Sequence, residues 1–98
     1  METGRYVVVR SGTMGCFAGN LQEHDRVAKH VVLKNARRLW YWRGAASLSQ
    51  LAMEGVKDPA GCKFPCETLE HEIGGVEEVI ATTPEAEANI KAVPVWKL

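Results

Sequence analysis

Runs of apolar and β-branched residues in the first half of the chain predict a series of β-strands. The segments 5–10 (RYVVVR) and 16–21 (CFAGNL) predict the first two strands, with a turn that contains two glycines between them. Residues 22–26 (QEHDR) predict the next turn, while residues 27–35 (VAKHVVLKN) and 37–42 (RRLWYW) predict the third and fourth strands. Because the connections are short and parallel strands require a long crossover, the pattern favours an antiparallel meander.

The period of the apolar residues then changes to between three and four, which predicts a helix over residues 47–55. Ser47 is a favourable N-cap, Gln50 stands three residues later as its capping-box partner, and Gly55 ends the helix. Residues 57–65 (KDPAGCKFP) contain two prolines and a glycine and therefore predict a loop.

The last third of the chain predicts two further strands and a second helix. Residues 66–73 and 76–83 flank two consecutive glycines, a pair that is typical of a hairpin turn. Thr83 is a favourable cap for a helix over residues 84–93, which has proline at its first position. The whole pattern predicts the α+β class, with an antiparallel sheet of about six strands and two short helices packed on one face.

The length and composition are those of one globular domain. The 98 residues predict a single domain over residues 1–98, and the 46% hydrophobic and 24% charged fractions are typical of a soluble protein. No apolar run approaches the roughly 18–20 residues of a membrane span. The first residues also lack the apolar core of a secretory signal. The sequence therefore predicts a cytoplasmic protein that does not associate with a membrane.

Charge is distributed unevenly, although the formal net charge is zero. Residues 1–43 carry eight Lys and Arg against three acidic residues, and residues 44–98 carry four against nine. This division is compatible with an anionic ligand at a basic face, with self-association through unlike faces, or with solvated acidic surfaces. The composition does not favour a strongly basic, duplex-binding domain, so nucleic acid is not an expected partner.

The candidate chemical groups favour neither a metal site nor catalysis. Cys62 and Cys66 have a spacing that occurs in zinc sites, but neither Cys16 nor a histidine is placed to complete four ligands. The sequence has no phosphate-binding glycine loop, zinc-protease helix motif or nucleophile elbow. On a strand, the consecutive Glu77 and Glu78 point to opposite faces and form no carboxylate pair. We therefore expect no metal, no cofactor and no enzymatic activity.

Arginines and aromatic residues are the most distinctive candidates for ligand binding. Arg10, Arg37 and Arg38 offer forked donors for phosphate, although a solvated strand edge is the alternative for the last two. Phe64 lies in the predicted loop between a lysine and a proline, where an aromatic residue is less often part of a core. Its ring is therefore a candidate stacking surface for a base.

The tryptophans of the predicted fourth strand allow two interpretations. Trp40 and Trp42 share one face of that strand, because side chains alternate along it. One interpretation makes them pocket walls; the other, which we favour, has them hold the sheet against the first helix. Trp96, in the extended C-terminal tail, also requires cover in a chain this short, so we expect at least a dimer.

The central segment, residues 36–56 (ARRLWYWRGAASLSQLAMEGV), has an unusual composition, and it stands between residues 7–19 (VVVRSGTMGCFAG) and residues 62–67 (CKFPCE). In these segments, the chain resembles a family of small phage-encoded proteins. Part of that family is known as anti-Thoeris sponges, which sequester cyclic-nucleotide immune signals. The resemblance extends from about residue 6 to the closing VPVWK.

The resemblance implies a phage anti-defence sponge without catalytic activity. Its ligands would be glycocyclic ADP-ribose isomers and, as in some family members, cyclic trinucleotides. It implies a homo-oligomer, either a dimer or a hexamer, with ligand pockets at subunit interfaces. At the matching positions, Arg10 would bind the phosphates and Phe64 would stack on the adenine. Asn89 and Lys91 lie where the family supplies further polar contacts, and Lys91 stands where an arginine is common.

Two other functions are compatible with the same residues. A phage nucleic-acid-binding or virion accessory protein would bind oligonucleotides with a steep dependence on salt and length. An enzyme that degrades the signal would consume the nucleotide, whereas a sponge returns it intact after heat denaturation.

Overall fold

The computed structural model describes all 98 residues, which form five strands and two α-helices. The strands are β1 (Tyr6–Ser11), β2 (Gly15–Asp25), β3 (His30–Arg38), β4 (Thr68–Ile73) and β5 (Val76–Ala81). The helices are α1 (Leu48–Glu54) and α2 (Pro84–Ala92), and a single 3-10 turn covers Pro59–Gly61. Neither α-helix is long and apolar enough to cross a membrane.

All the strands pair antiparallel in one sheet with the order β4-β3-β2-β1-β5. The α+β class is confirmed, and the sheet has five strands where about six were predicted. The difference arises at the predicted fourth strand, because Arg37 and Arg38 are the last residues of β3 and the chain then leaves the sheet. Tyr41 makes only an isolated bridge with Lys63.

The turn predicted over residues 22–26 is also misplaced, because β2 continues as a strand to Asp25. The reversal follows at residues 26–29, where Asp25 Oδ1 accepts hydrogen bonds from the backbone N–H groups of Val27 and Ala28, both at 3.0 Å. Lys29 completes the turn in the left-handed region, with φ 54°. The side chain of Asp25 and the backbone of Lys29 therefore define the hairpin tip.

The predicted hairpin between β4 and β5 is wrong, because these strands lie at opposite edges of the sheet. Across a flat five-stranded sheet the edges would be about 19 Å apart. The three residue steps from Ile73 to Val76 reach at most about 11 Å. The sheet must therefore be rolled so that its edges approach each other at this end. One hydrogen bond supports this closure: Val76 N–H, at the start of β5, donates to Lys29 O, just before β3, at 2.9 Å.

The rolled sheet separates two hydrophobic clusters. The inner cluster has residues from all five strands and none from a helix: Val7, Val9, Phe17, Leu21, Val31, Leu33, Ala36, Ile73 and Val76. The outer cluster joins the convex face of the sheet to the helices and loops: Tyr6, Val8, Ala18, Leu39, Leu51, Ala52, Val56, Cys62, Phe64, Ile90 and Val93. Both helices therefore pack on one face, as predicted.

The predicted helix caps are present. Ser47 Oγ accepts from Gln50 N–H at 3.1 Å, and the Gln50 side chain returns to Ala46 N–H at 2.7 Å instead of to Ser47 itself. Thr83 Oγ1 accepts from Ala86 N–H at 3.1 Å at the start of α2. The Thr83 side chain also donates to Met53 O at 2.7 Å, so that the cap of one helix is bonded to the end of the other.

Candidate functional site

Arg10 lies on the sheet surface between two carboxylates. Its Nε donates to Glu78 Oε1 at 3.0 Å, and its Nη1 donates to Glu77 Oε1 at 3.2 Å. A bulge in the β1–β5 pairing next to Arg10 brings both consecutive glutamates to one guanidinium, so their predicted separation to opposite faces is wrong. The hydrogen bond to Glu78 and the charge of Glu77 raise the pKa of Arg10. A phosphate would have to compete with both carboxylates for this side chain.

Phe64 is a core residue. Its side chain is completely buried in the outer cluster, so the predicted exposure of its ring to a stacking base is wrong. The physical reason is that the C-terminal segment covers it: Phe64 forms a parallel bridge with Val95, and Phe64 O accepts from Trp96 N–H at 2.9 Å. The guanidinium carbon of Arg37 lies 5.5 Å from the centroid of the Phe64 ring.

Arg37 is a buried cross-link between separate parts of the chain. Its exposed fraction is 2%, which rules out the solvated strand edge. The guanidinium donates to three backbone carbonyls, those of Ile90 at 2.8 Å, Pro65 at 3.1 Å and Phe64 at 3.2 Å. Burial lowers the pKa of Arg37. Because these carbonyls occupy Nε and both terminal nitrogens, Arg37 is not available to a phosphate in this structure.

Asn89 and Lys91, both on α2, are already engaged within the chain. The Asn89 side chain accepts from Val56 N–H at 2.8 Å and donates to Val56 O at 2.9 Å, which fixes the chain just after α1. Lys91 Nζ pairs with Glu87 one helical turn earlier and lies 5.0 Å from the centroid of the Tyr6 ring. Neither residue shares a pocket with Arg38.

Arg38 differs from its neighbour Arg37 because most of its donors are unused. The half-buried guanidinium makes one hydrogen bond, from Nη1 to Met14 O at 2.7 Å, and lies 4.4 Å from the centroid of the Phe17 ring. It takes part in none of the ion pairs of the chain. A guanidinium has five N–H donors, so four of those of Arg38 make no hydrogen bond within the chain.

Arg38 lines a pocket of about 230 Å³ where the turn after β1 meets the chain leaving β3. We call this the Trp40 pocket; its lining residues are Met14, Gly15, Cys16, Arg38, Leu39, Trp40 and Trp42. Trp40 is 64% exposed, so the structural role predicted for it is wrong. Trp42 is half-buried and packs against the outer cluster, as predicted for a residue that holds the sheet against the helices.

Arg10 borders the Trp40 pocket through Cys16. The two residues pair directly across β1 and β2, so their side chains lie on the same face of the sheet. Burial raises the pKa of the Cys16 thiol, and the charge of Arg10 opposes that rise only in part. A thiol with a raised pKa is a poor nucleophile at neutral pH, so Cys16 contributes an apolar wall to the pocket.

The structure therefore divides the six predicted site residues into separate groups. Arg37 contacts Phe64 inside the outer cluster. Asn89 bonds α2 to the chain after α1, and Lys91 pairs with Glu87 within α2. Arg38 lines the Trp40 pocket, and Arg10 lies outside its lining, paired across the strands with Cys16. No group of three or more His, Cys, Asp or Glu side chains is arranged to hold a metal ion.

The sequence interpretation missed part of the pocket wall. Met14, Gly15 and Cys16 were assigned to a turn and a strand, yet they reach Arg38 because β2 pairs with β3 in the register Phe17 to Arg38. Strand β3 extends over nine residues from His30 to Arg38, so Trp40 lies outside the sheet.

Residues 4–90 match the family described as a Domain of unknown function (DUF6948). The chain belongs to this family. The region shared with the DUF6948 family contains every strand, α1 and the whole Trp40 pocket. Comparisons with curated proteins and with solved structures find no match for the chain.

Proposed function

We propose that the protein is a non-catalytic sponge that binds and sequesters a cyclic-nucleotide immune signal in the cytoplasm of a phage-infected bacterium. The Trp40 pocket is the proposed binding site, and glycocyclic ADP-ribose isomers and cyclic trinucleotides are the proposed ligands. One observation carries the proposal: Arg38, which takes part in no ion pair, lines the same pocket as the exposed indole of Trp40.

The chemistry of these two side chains suits such a ligand. A cyclic nucleotide carries a flat purine next to phosphate, so its site needs a stacking surface and a cation close together. Stacking of a base on an aromatic side chain contributes about 1–3 kcal/mol. The guanidinium fork forms charge-assisted hydrogen bonds with phosphate oxygens. Trp40 supplies the first of these groups and Arg38 the second.

The size of the pocket supports an assembled site. At about 230 Å³ the Trp40 pocket is smaller than the roughly 300–1,000 Å³ of most small-molecule sites, so it covers a base and leaves the rest of a cyclic nucleotide exposed. We propose that a second copy of the chain completes the site, in a dimer or a hexamer. Light scattering of the ligand-saturated protein checks this, and a monomeric mass would contradict it.

Replacing Arg38 with glutamine or Trp40 with alanine is expected to weaken ligand binding by about 10- to 100-fold, because each removes one of the two recognition groups. Calorimetric titration with glycocyclic ADP-ribose and with cyclic triadenylate measures this. The melting temperature is expected to change little, since Trp40 is 64% exposed and Arg38 makes a single hydrogen bond.

Arg5→Gln is the matched control, because Arg5 is exposed and lies just before β1, at the opposite end of that strand from Arg10. Its affinity is expected to equal that of the parent protein. Arg10→Gln is expected to have a smaller effect than Arg38→Gln, since Glu77 and Glu78 already occupy Arg10. Parent-level affinity in both the Arg38 and Trp40 variants would remove the Trp40 pocket from the proposal.

Two further measurements on the parent protein distinguish a sponge from an enzyme and from a nucleic-acid-binding protein. Heat denaturation of the complex is expected to release unchanged nucleotide, whereas an enzyme would release a product. Binding to single-stranded oligonucleotides that increases with their length and falls steeply with salt would favour a nucleic-acid-binding or virion accessory protein. If the parent protein binds neither cyclic nucleotide, the sponge function fails.

A further inference from the structure

A second depression, separate from the Trp40 pocket, lies where the tip of the β2–β3 hairpin meets β5. Its volume is about 310 Å³. The polar groups that line it come from both sides: His24, Arg26 and Lys29 from the hairpin, and Glu77 and Glu78 from β5. We call it the hairpin-tip depression.

The two sides of the hairpin-tip depression are fixed relative to each other. Val76 N–H donates to Lys29 O at 2.9 Å, which joins the first residue of β5 to the hairpin tip. Asp25 Oδ1 holds the tip itself through the backbone N–H groups of Val27 and Ala28. A ligand would therefore enter a site whose backbone is already held in place, which lowers the entropy cost of binding.

The cations of the depression lack carboxylate partners. Arg26 and Lys29 take part in none of the ion pairs of the chain. The neighbouring Asp25 is used by the backbone of the tip. Glu77 and Glu78 share the single positive charge of Arg10, so one negative charge remains on the β5 side of the depression. An anion is therefore favoured on the hairpin side, near Arg26 and Lys29.

The imidazole of His24 adds an unsatisfied group to the same place. Its Nδ1 is buried and has no hydrogen-bond partner. A buried polar atom without a partner carries a desolvation cost. Burial and the charge of Arg26 lower the pKa of His24, so the free site holds the neutral ring at pH 7. A bound anion would favour the protonated ring, which donates from both nitrogens.

The backbone of Lys29 is a third, independent observation. Its φ of 54° lies in the left-handed region, where glycine and asparagine are favoured over a long side chain. Glycine would form the turn with less strain, yet this position carries a cation that lines the depression. Strained residues of this kind concentrate at functional sites.

We propose that the hairpin-tip depression binds the phosphoryl group of a small phosphate monoester, with Arg26 and Lys29 as its cationic contacts and His24 as a proton-dependent donor. The volume of about 310 Å³ lies at the lower end of small-molecule sites, which suits a small metabolite. This site does not depend on the function proposed for the Trp40 pocket.

The test uses the full chain and two probes, inorganic phosphate and glycerol phosphate, followed by NMR of the His24 ring and of the backbone amides. Saturable binding is expected, with shifts centred on residues 24–29 and 76–79. The charged groups around His24 are Asp25, Arg26, Lys29, Glu77, Glu78 and the Met1 amino group. These groups are the same in the free and the phosphate-bound protein. A rise in the pKa of His24 on addition of phosphate therefore reports the bound anion.

Lys29→Gly and Arg26→Gln are each expected to weaken phosphate binding at least fivefold. Lys29→Gly also relieves the left-handed backbone, so its melting temperature is expected to equal or exceed that of the parent protein. Lys57→Gln is the control, because it removes one exposed positive charge outside the depression and is expected to leave binding unchanged.

Three outcomes would overturn the proposal. An equal loss in the Lys57 variant would show a nonspecific effect of net charge. An unchanged pKa of His24 at saturating phosphate would place the anion elsewhere. Binding of oligonucleotides that requires Lys29, without binding of either small phosphate, would assign the depression to a nucleic-acid backbone instead.

Discussion

Replacing Phe64 with alanine is expected to lower the free energy of unfolding by about 3–5 kcal/mol, because it empties a fully buried aromatic site in the outer cluster. Small domains have total stabilities of about 5–15 kcal/mol, so this loss is a large fraction of the whole. Denaturant unfolding followed by tryptophan fluorescence measures the change.

Tyr41→Ala provides the control for Phe64, since Tyr41 is an aromatic residue that bridges to Lys63, next to Phe64, and is 47% exposed. Its effect on unfolding is expected to stay below about 1 kcal/mol. If Phe64→Ala kept the parent stability and lost only ligand, then Phe64 would be a pocket residue, and the burial described above would not hold in solution.

Replacing Arg37 with methionine is expected to destabilise the protein by about 3 kcal/mol or more. Methionine fills a similar volume but leaves the backbone carbonyls of Phe64, Pro65 and Ile90 buried without their donor. Arg37→Lys is expected to recover only part of the loss, because an ammonium group cannot reproduce the planar fork.

Arg37 and Arg38 are expected to differ in the property that each substitution changes. Thermal and chemical unfolding are expected to respond to Arg37→Met and hardly at all to Arg38→Gln, whereas ligand titration is expected to show a direct loss only in the Arg38 variant. Arg37 would then stabilise the fold, and Arg38 would bind the ligand. The reverse assignment of effects would contradict the placement of both side chains.

The parts of the fold that depend on local physics could be predicted from the sequence. The first strand follows from its β-branched residues, and the helix starts follow from the side-chain caps Ser47 and Thr83. The separation of β4 from β5 could not be predicted, because two glycines between strands look alike in a hairpin and in a link across a rolled sheet. Closure of the sheet depends on contacts between residues far apart in sequence, such as Lys29 and Val76.

Of the six predicted site residues, only Arg38 lines the candidate pocket. Arginines and aromatic residues do meet in one pocket, but the sequence could not show which members of each class were free. Arg37 and Arg38 have the same chemistry, and their burial differs because the outer cluster covers one face of the end of β3. Phe64 appeared to be a loop residue, and only the position of the C-terminal segment beside it makes it a core residue.

Strand β1 contributes to both hydrophobic clusters, since Tyr6 and Val8 lie in the outer one and Val7 and Val9 in the inner one. If the residues of β1 left one cluster, the same strand would no longer be in place to pack in the other cluster. The helices and the rolled sheet therefore form a single cooperative unit rather than two that melt in sequence. Hydrogen exchange of the amides in β1 should then proceed through global unfolding, with a free energy equal to that of the whole chain.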